Sequence, residues 1–463
     1  MTLIRISKQQ WLCSVFLFLG INLTHSQSKV AMLFVGDVMQ HDGQIEAAYN
    51  PTTKTYEYDE GFQFVKPIIQ EYDLRVANLE VTHAGKPYKG YPQFSAPDEL
   101  SKVLKTAGFN VILTANNHSC DGGSKGVVRT LDVLDELGLT HTGTFRSQAE
   151  RDKNYPLIVE ENGLRIAMLN YTYGTNGLSV AKPLIINYID SIVIKADIAK
   201  AKNELKADYI VCNMHWGTEY KPLPNGYQKI YEDVCYRAGA DMVIGGHPHV
   251  LQPIEKKTVA GKERLTVWSL GNFVSNMQIR YTRGGVMVGA EIEQKNKEVT
   301  LGEVRHHLVY VLKKQEGAIK PFYILPDFDY NTFRSDFVSA IEKTKMNEFF
   351  NDSRELYAEH NKGKVTESLV SSDSSISAKY KQLLTNYCSV EVIADGETWL
   401  DNEILGHYFH KTVDDEGKVH YLSGMYIDAY QAKGHKQFLS DCGLEGKVKL
   451  VRVTPQEIKA LTL

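Results

Sequence analysis

Short apolar segments that end in a polar residue or glycine recur along the first 270 positions of the chain. They lie at 30–35, 74–77, 111–115, 166–169, 209–214, 242–244 and 265–270, and each is followed directly by Gly, Asn or His. Continuous apolar runs of this length are typical of strands that are buried on both faces of a sheet. We therefore predict seven strands whose carboxyl ends carry polar residues or glycine.

Helical patterns separate several of these runs, at 95–106, 125–137, 192–205 and 228–238. Strands that alternate with helices predict an α/β domain with a largely parallel sheet. Two later runs, 285–292 and 299–311, alternate between apolar and polar residues and have lysine-rich turns. They predict antiparallel strands added to that sheet.

The pattern changes after residue 326. Residues 333–369 are polar, charge-rich and mostly helical in pattern, and 371–375 is the serine-rich run Ser-Ser-Asp-Ser-Ser, which predicts a linker or loop. A last segment of α+β character begins near residue 388. The predicted parts are a signal peptide at 1–26, an α/β domain at 27–326, a helical or linker region at 327–387 and a small α+β domain at 388–463.

Residues 1–26 have the pattern of a secretory signal peptide. Two basic residues precede an apolar run at 11–23, and small or polar residues follow it up to Ser26. The run is short for a transmembrane helix. We predict export to the periplasm or cell envelope with cleavage near Ser26, and a retained membrane anchor is the alternative.

Composition excludes several classes of protein. Of the 463 residues, 43% are apolar and 23% are charged, which is not typical of a disordered, collagen-like or wholly membrane-embedded chain. The net charge of −4 includes no basic excess that would favour a nucleic-acid partner. The six cysteines show no CxxC spacing, so we expect neither a zinc–thiolate site nor a dense disulfide framework. The pattern permits a single disulfide bond.

Seven polar residues share a position just past the end of a predicted strand. They are Asp37, Glu80, Asn117, His118, His215, His247 and His249. Ligand sites in open α/β sheets lie at the carboxyl edge, so residues far apart in sequence would meet there. Any one of them alone is explained as a turn former or helix cap, but turns do not require histidines.

The donor atoms of this set are carboxylate oxygens, an amide oxygen and imidazole nitrogens. That mixture suits zinc, manganese or iron better than calcium, and we predict one or two divalent ions. His247 and His249 are one residue apart, and in an extended segment such side chains share a face. His41 follows the Asp37 loop, and whether it lies near the site stays open.

Four other histidines, His83, His141, His306 and His307, lack such a context. We expect them at the surface or in ordinary hydrogen bonds.

The motifs around the seven residues resemble those of the poly-γ-glutamate capsule synthesis family, the CapA-type proteins. The matching segments are FVGDVM at 34–39, VANLE at 76–80, TANNH at 114–118 with Asp121, YTYGTNG at 171–177, HWGTEY at 215–220, GADMVIGGHPHV at 239–250 and SLGNF at 269–273. Their order and spacing match over about residues 30–280. The family is similar to the calcineurin-like metallophosphoesterases.

This resemblance implies a sandwich of two sheets flanked by helices, in the layer order α/β/β/α, with a metal centre. It implies metal ligands at Asp37, Glu80, Asn117, His215, His247 and His249, catalytic roles for His118 and Asp121, and supporting or substrate contacts for Asn78, Glu219 and Asn272. The C-terminal segment is also faintly similar, at 419–426, to a peptidoglycan-binding SPOR-type repeat. An unrelated accessory domain is the simpler interpretation of that segment.

One position departs from the phosphoesterase pattern. The related enzymes carry a histidine two residues after the first aspartate, where this chain has Met39. A thioether is a poor ligand for these ions. The metal on the side of Asp37 could therefore be weak, absent or completed by His41.

Three functions follow from these observations. The first is an exported metal-dependent hydrolase or amide-bond-acting enzyme whose substrate is a γ-glutamyl or other envelope polymer, or a precursor of it. The second is a non-enzymatic envelope scaffold or export factor that binds an anionic polymer, with other capsule synthesis or export proteins as partners. The third, a phosphodiesterase, rests on analogy with the fold.

Overall fold

The computed structural model describes residues 28–51, 53–295, 298–314, 321–385, 387–395, 408–413, 416, 418–426, 429–441 and 448–453. The predicted signal peptide lies outside these residues. Within them, none of the helices combines the length and apolar character needed to cross a bilayer. Cys120, Cys212 and Cys235 are buried free thiols.

The strands are, in chain order, β1 (Lys29–Val38), β2 (Tyr49–Asn50), β3 (Thr55–Tyr56), β4 (Leu74–Leu79), β5 (Val111–Leu113), β6 (Thr140–Thr142), β7 (Thr144–Phe145), β8 (Leu157–Glu161), β9 (Leu164–Thr172), β10 (Ile185–Ile186), β11 (Tyr209–His215), β12 (Met242–Gly246), β13 (Ile254–Val259), β14 (Lys262–Val267), β15 (Asn272–Val274), β16 (Gly284–Lys295), β17 (Glu298–Lys313), β18 (Phe322–Pro326), β19 (Thr366–Glu367), β20 (Tyr387–Asp395), β21 (Tyr408–Val413), β22 (Lys418–Tyr426) and β23 (Val448–Val453). The helices are α1 (Asp42–Ala48), α2 (Asp59–Phe62), α3 (Lys66–Ile69), α4 (Glu99–Ala107), α5 (Gly123–Glu136), α6 (Gln148–Asn154), α7 (Ser191–Asn203), α8 (Gly226–Ala238), α9 (Ala340–His360), α10 (Ser374–Thr385) and α11 (Ala429–Leu439).

Two sheets form the main body. The first has the order β18-β17-β16-β1-β4-β5-β6, with β1, β4, β5 and β6 parallel and β16 to β18 antiparallel. The second has the order β13-β14-β12-β11-β9-β8, with a parallel centre and antiparallel edges. The predicted strands are confirmed, except that β14 covers 262–267 rather than 265–270, because the chain leaves the sheet there to join the two sheets.

The alternation along β9 shows how the layers are built. Ile166 and Met168 belong to the apolar core that includes both sheets, whereas Ala167 and Leu169 belong to a second cluster with Ile198 of α7. Successive side chains of a strand point to opposite faces, so one strand serves both layers. The apolar side of α4 belongs to the core on the first sheet. The α/β/β/α sandwich is therefore confirmed.

The segment after residue 326 packs on the first sheet. Strand β19 pairs with β17, and the ring of Phe349 in α9 lies 6.1 Å from that of Tyr310. The hydroxyl of Tyr380 in α10 donates a hydrogen bond to the carbonyl of Phe64. These contacts join the helical region to the sandwich, and the domain boundary near 326 stays a prediction.

The serine-rich run at 371–375 is partly helical rather than a linker. The Asp373 carboxylate accepts hydrogen bonds from the backbone N–H groups of Ser375 and Ile376, at 2.8 and 3.1 Å. A side chain in this place satisfies N–H groups at the start of a helix, so α10 begins within the run. Further on, β21-β22-β20-β23 form a separate antiparallel sheet with α11 against it.

Candidate metal centre

The segment after β14 joins the carboxyl ends of the two sheets. Leu270 N–H donates to the Gly245 carbonyl at 3.0 Å, and Asp37 N–H donates to the Gly271 carbonyl at 2.9 Å. A Cβ at Gly36 would lie 2.1 Å from the Gly271 oxygen, which no side chain tolerates. Glycine at position 36 therefore permits the close approach that places both strand edges around one point.

Two fully buried carboxylates, Asp37 and Glu80, lie at that point. Asp37 accepts hydrogen bonds from the Asn78 side chain at 2.8 Å and from the backbone N–H of His247 at 3.2 Å. Both carboxylate oxygens of Glu80 are buried without a hydrogen-bond partner. Burying an ion without partners is costly, so the Glu80 carboxylate fits a site that holds a cation.

Three imidazoles surround the carboxylates. His215 Nε2 lies 3.5 Å and His249 Nε2 lies 3.8 Å from Glu80 Oε1, and His249 Nδ1 lies 3.2 Å from Asp37 Oδ2. The buried Nδ1 of His247 has no hydrogen-bond partner. In three groups, one donor atom per residue lies within 4.8 Å of the others: Asp37, Glu80 and His249; Glu80, His215 and His247; and Glu219, His247 and His249.

Two amide side chains complete the surroundings. The Asn117 Oδ1 atom lies 2.6 Å from His215 Nε2, so these two donors converge. The Asn272 Oδ1 atom lies 3.0 Å from His249 Nδ1 and holds that ring. The structure thus brings together the six residues predicted as ligands, with the predicted supporting residues around them: Asp37, Glu80, Asn117, His215, His247 and His249, with Asn78, Glu219 and Asn272.

The charges of the site favour a bound cation. Burial alone would lower the pKa of His249, but the carboxylates of Glu80 and Asp37 raise it to about 9. Burial lowers the pKa of His247 well below its ordinary range, and the neighbouring His215 and His249 lower it further. Burial acts to raise the pKa of Asp37, yet its hydrogen bond with His249 and the charges nearby hold it well below its usual value. The carboxylates therefore stabilise positive charge between them.

The histidines after β12 reach the centre by an unusual backbone conformation. The φ angles are 97° at His247 and 56° at His249, in the left-handed region that side chains rarely adopt. The segment is therefore not extended, and both rings still lie in one donor group. Such conformations cost about 1–3 kcal/mol each and cluster at functional sites.

His118 and Asp121 form a hydrogen-bonded pair beside the centre. His118 Nδ1 lies 2.6 Å from Asp121 Oδ2, which also accepts the backbone N–H of Phe94 at 2.7 Å. The Phe94 ring lies 4.6 Å from the imidazole, and the backbone N–H of His118 donates to Asn116 Oδ1 at 3.0 Å. These contacts hold the ring in one orientation, and Nδ1 is the ring nitrogen that they engage.

Met39 and His41 contact residues other than the predicted metal ligands. Met39 is buried in the apolar core. His41 Nδ1 lies 3.2 Å from Gln44 Oε1, and its ring packs edge-on against Phe94 at 5.3 Å. Among the described residues, His41 belongs to none of the groups of metal-type donors.

Three of the four histidines without a site context lie inside the protein. His83 is buried with Nε2 2.6 Å from the Ser101 hydroxyl, and His141 lies 3.0 Å from a carboxylate of α5. His306 and His307 are buried in β17. The expected hydrogen bonds are confirmed for His83, His141 and His307. A surface position is excluded for His83, His306 and His307, which are buried.

One residue with a clear place in the site, Tyr173, was not predicted. Its ring centroid lies 4.5 Å from that of His247, and it stacks at 6.5 Å on His215. The signal was available, because Tyr173 follows the carboxyl end of β9 as the predicted ligands follow other strands.

Comparison with known proteins places the chain in a family. The family described as "Bacterial capsule synthesis protein PGA_cap" matches residues 31–277, which is more than half of the chain. The chain belongs to this family. It is 31% identical over 308 residues to the "Capsule biosynthesis protein CapA" of Bacillus anthracis, covering 63% of this chain and 69% of that protein. It is 33% identical over 336 residues to the "PGA biosynthesis protein CapA" of Bacillus subtilis (strain 168), covering 70% and 83%. The family predicted from the motifs is confirmed.

Two solved structures are distant neighbours of this PGA_cap member. A calcineurin-like phosphoesterase, YfkN from Bacillus subtilis, aligns with a TM-score of 0.37 at 15% identity, covering 71% of this chain and 98% of that one. The sulfate thiohydrolase SoxB of Thermus thermophilus aligns with a TM-score of 0.33 at 12% identity, covering 64% and 47%.

Proposed function

We propose that this chain is an exported enzyme of the cell envelope that uses one or two divalent ions, zinc, manganese or iron, to cleave or form bonds in an envelope polymer. The observation that carries the proposal is the Glu80 carboxylate, which is buried without hydrogen bonds among imidazoles. The pair of His118 and Asp121 stands beside it. A cation site next to an oriented proton donor is typical of metal-assisted hydrolysis.

The donor groups divide naturally between two ions. Asp37, Glu80 and His249 would hold one, and Glu80, Asn117, His215 and His247 would hold the other. When bound, such an ion lowers the pKa of a coordinated water and polarises a carbonyl or phosphoryl oxygen.

His118 is the proposed general acid. Its Nδ1 is held by Asp121, whose carboxylate is in turn fixed by the Phe94 N–H. The Nε2 atom can therefore give a proton to a leaving nitrogen or oxygen as the bond breaks. Asp121 keeps the ring in one orientation.

The proposed substrate is a γ-glutamyl polymer or a precursor of it. Support comes from the printed names of the relatives, which refer to capsule and PGA biosynthesis. Other capsule synthesis or export proteins are the proposed partners. Export, through residues 1–26, would bring the enzyme to that polymer.

The test is elemental analysis of the purified chain, coupled to turnover assays with a γ-glutamyl oligomer and with a phosphodiester. We expect about one or two divalent ions per chain and metal-dependent turnover of the oligomer. Metal-dependent turnover of the phosphodiester alone would indicate the phosphodiesterase function. A metal-loaded chain that binds the oligomer but turns over neither compound would indicate the scaffold function instead.

A further inference from the structure

A third acidic residue, Glu219, lies close to the metal centre. Glu219 lies on the loop after β11 and is accessible to solvent, unlike Asp37 and Glu80. One of its carboxylate oxygens lies within 4.8 Å of a ring nitrogen of His247 and of His249. The same two imidazoles also share donor groups with the buried carboxylates Asp37 and Glu80.

The backbone holds this loop against the segment that carries both histidines. The N–H of Tyr220 donates to the Pro248 carbonyl at 2.8 Å, which joins the residue after Glu219 to the residue between His247 and His249. Gln252 Nε2 donates to the carbonyl of Lys221, the residue after Tyr220, at 2.9 Å. The position of Glu219 over the imidazoles is therefore fixed by direct hydrogen bonds between the two loops.

The inner donors leave room for another protein ligand. Asp37, Glu80 and His249 supply three donor atoms, whereas zinc and similar ions bind at least four. Met39, two residues after Asp37, is buried in the apolar core. Glu219 offers a further donor atom within 4.8 Å of a ring nitrogen of His249.

We propose that Glu219 is a metal ligand at the solvent side of the centre, where it adds a carboxylate oxygen to the ion held by Asp37, Glu80 and His249 and lies beside His247, a ligand of the second ion. The inference rests on the metal centre of the proposed function. It adds a carboxylate that water or substrate can displace, since Glu219, unlike the inner ligands, is accessible. The ion on this side would accordingly exchange more readily than the one held among buried donors.

The test is a calorimetric titration of the metal-free full chain with Mn²⁺. Three proteins are compared: the wild type, Glu219→Gln and Glu204→Gln. Glu204 is exposed at the end of α7 and lies in none of the donor groups, so it controls for the loss of one surface charge. We expect Glu219→Gln to weaken one Mn²⁺ binding step about tenfold or more, because even residues outside the ligand shell change metal affinity by about 10–100-fold. Glu204→Gln should match the wild type.

The outcomes separate this inference from the proposed function. Unchanged Mn²⁺ binding by Glu219→Gln would overturn the ligand role, and a loss of turnover alone would then assign the carboxylate to the substrate. A wild-type chain that takes up no Mn²⁺, Zn²⁺ or Fe²⁺ would overturn both the inference and the metal centre. The melting temperature of each variant is the control for retention of the fold. We expect it to be unchanged, because Glu219 is accessible to solvent.

Discussion

Replacement of His118 separates chemistry from structure at this site. In the His118→Ala variant the imidazole held by Asp121 is removed, while the metal-type donors, including the neighbouring Asn117, remain. General acid catalysis of this kind is worth about 10²–10⁴-fold in rate. We therefore expect turnover to fall by that factor with the metal content unchanged.

The partner residue should have a smaller effect. Asp121 Oδ2 accepts hydrogen bonds from both His118 Nδ1 and Phe94 N–H, and the amide oxygen of Asp121→Asn can accept both. What is lost is the charge. A hydrogen bond to a charged group is worth about 1.5–3 kcal/mol and a neutral one about 0.5–1.5 kcal/mol. The difference, about 1 kcal/mol, corresponds to roughly fivefold in rate.

Stability must be followed in parallel, because His118 is buried against Phe94. Removing the ring leaves a space and should cost about 1–3 kcal/mol in the free energy of unfolding. His118→Gln fills more of that space, so it should be more stable than His118→Ala but equally inactive. Equal loss of turnover in two variants of different stability would identify the proton donor as the cause.

The assay is turnover of a γ-glutamyl oligomer, with metal content and melting temperature measured on the same preparations. Full activity of His118→Ala would refute the mechanism. So would a loss of turnover that only follows a loss of bound metal, since His118 would then act through the ligands and not on the substrate.

Three further predictions concern metal binding, pH and export. The His247→Ala variant should bind divalent metal far more weakly by calorimetry, because the His247 imidazole belongs to two donor groups. The control variant His141→Ala, changed outside these groups, should bind as the wild type does. Equal metal binding by the two variants would contradict the assignment. Burial lowers the pKa of His306 and His307 to about 4, so the unfolded chain binds more protons than the folded chain between pH 6.5 and 4. The free energy of unfolding should therefore fall as the pH drops through that window, by at most about 3 kcal/mol per histidine. Denaturant unfolding at pH 7 and 5 checks this, and replacement of both by Phe should flatten the dependence; an unaltered slope would exclude them as its cause. N-terminal sequencing of the protein from the envelope fraction should begin near Gln27, and an intact Met1 there would indicate a retained anchor.

The sequence by itself determined the strands of the sandwich and most of the polar residues at its metal centre. Burial on both faces demands continuous apolar runs, and β1, β9, β11 and β12 are visible as such runs. Parallel strands place their carboxyl ends at one edge, so Asp37, His215 and His247 could be grouped without knowing any distance. The motifs in the same segments also identified the family.

Only the tertiary structure decided how these groups meet. The left-handed backbone at His247 and His249, the burial of His306 and the approach of Glu219 to the imidazoles all depend on contacts between segments far apart in sequence. The same is true of β19, which pairs with β17 and brings the region after residue 326 onto the sheet. Hydrophobic patterning specifies which face of a segment is buried, but not which distant segment covers it, because that choice rests on the packing of the whole chain.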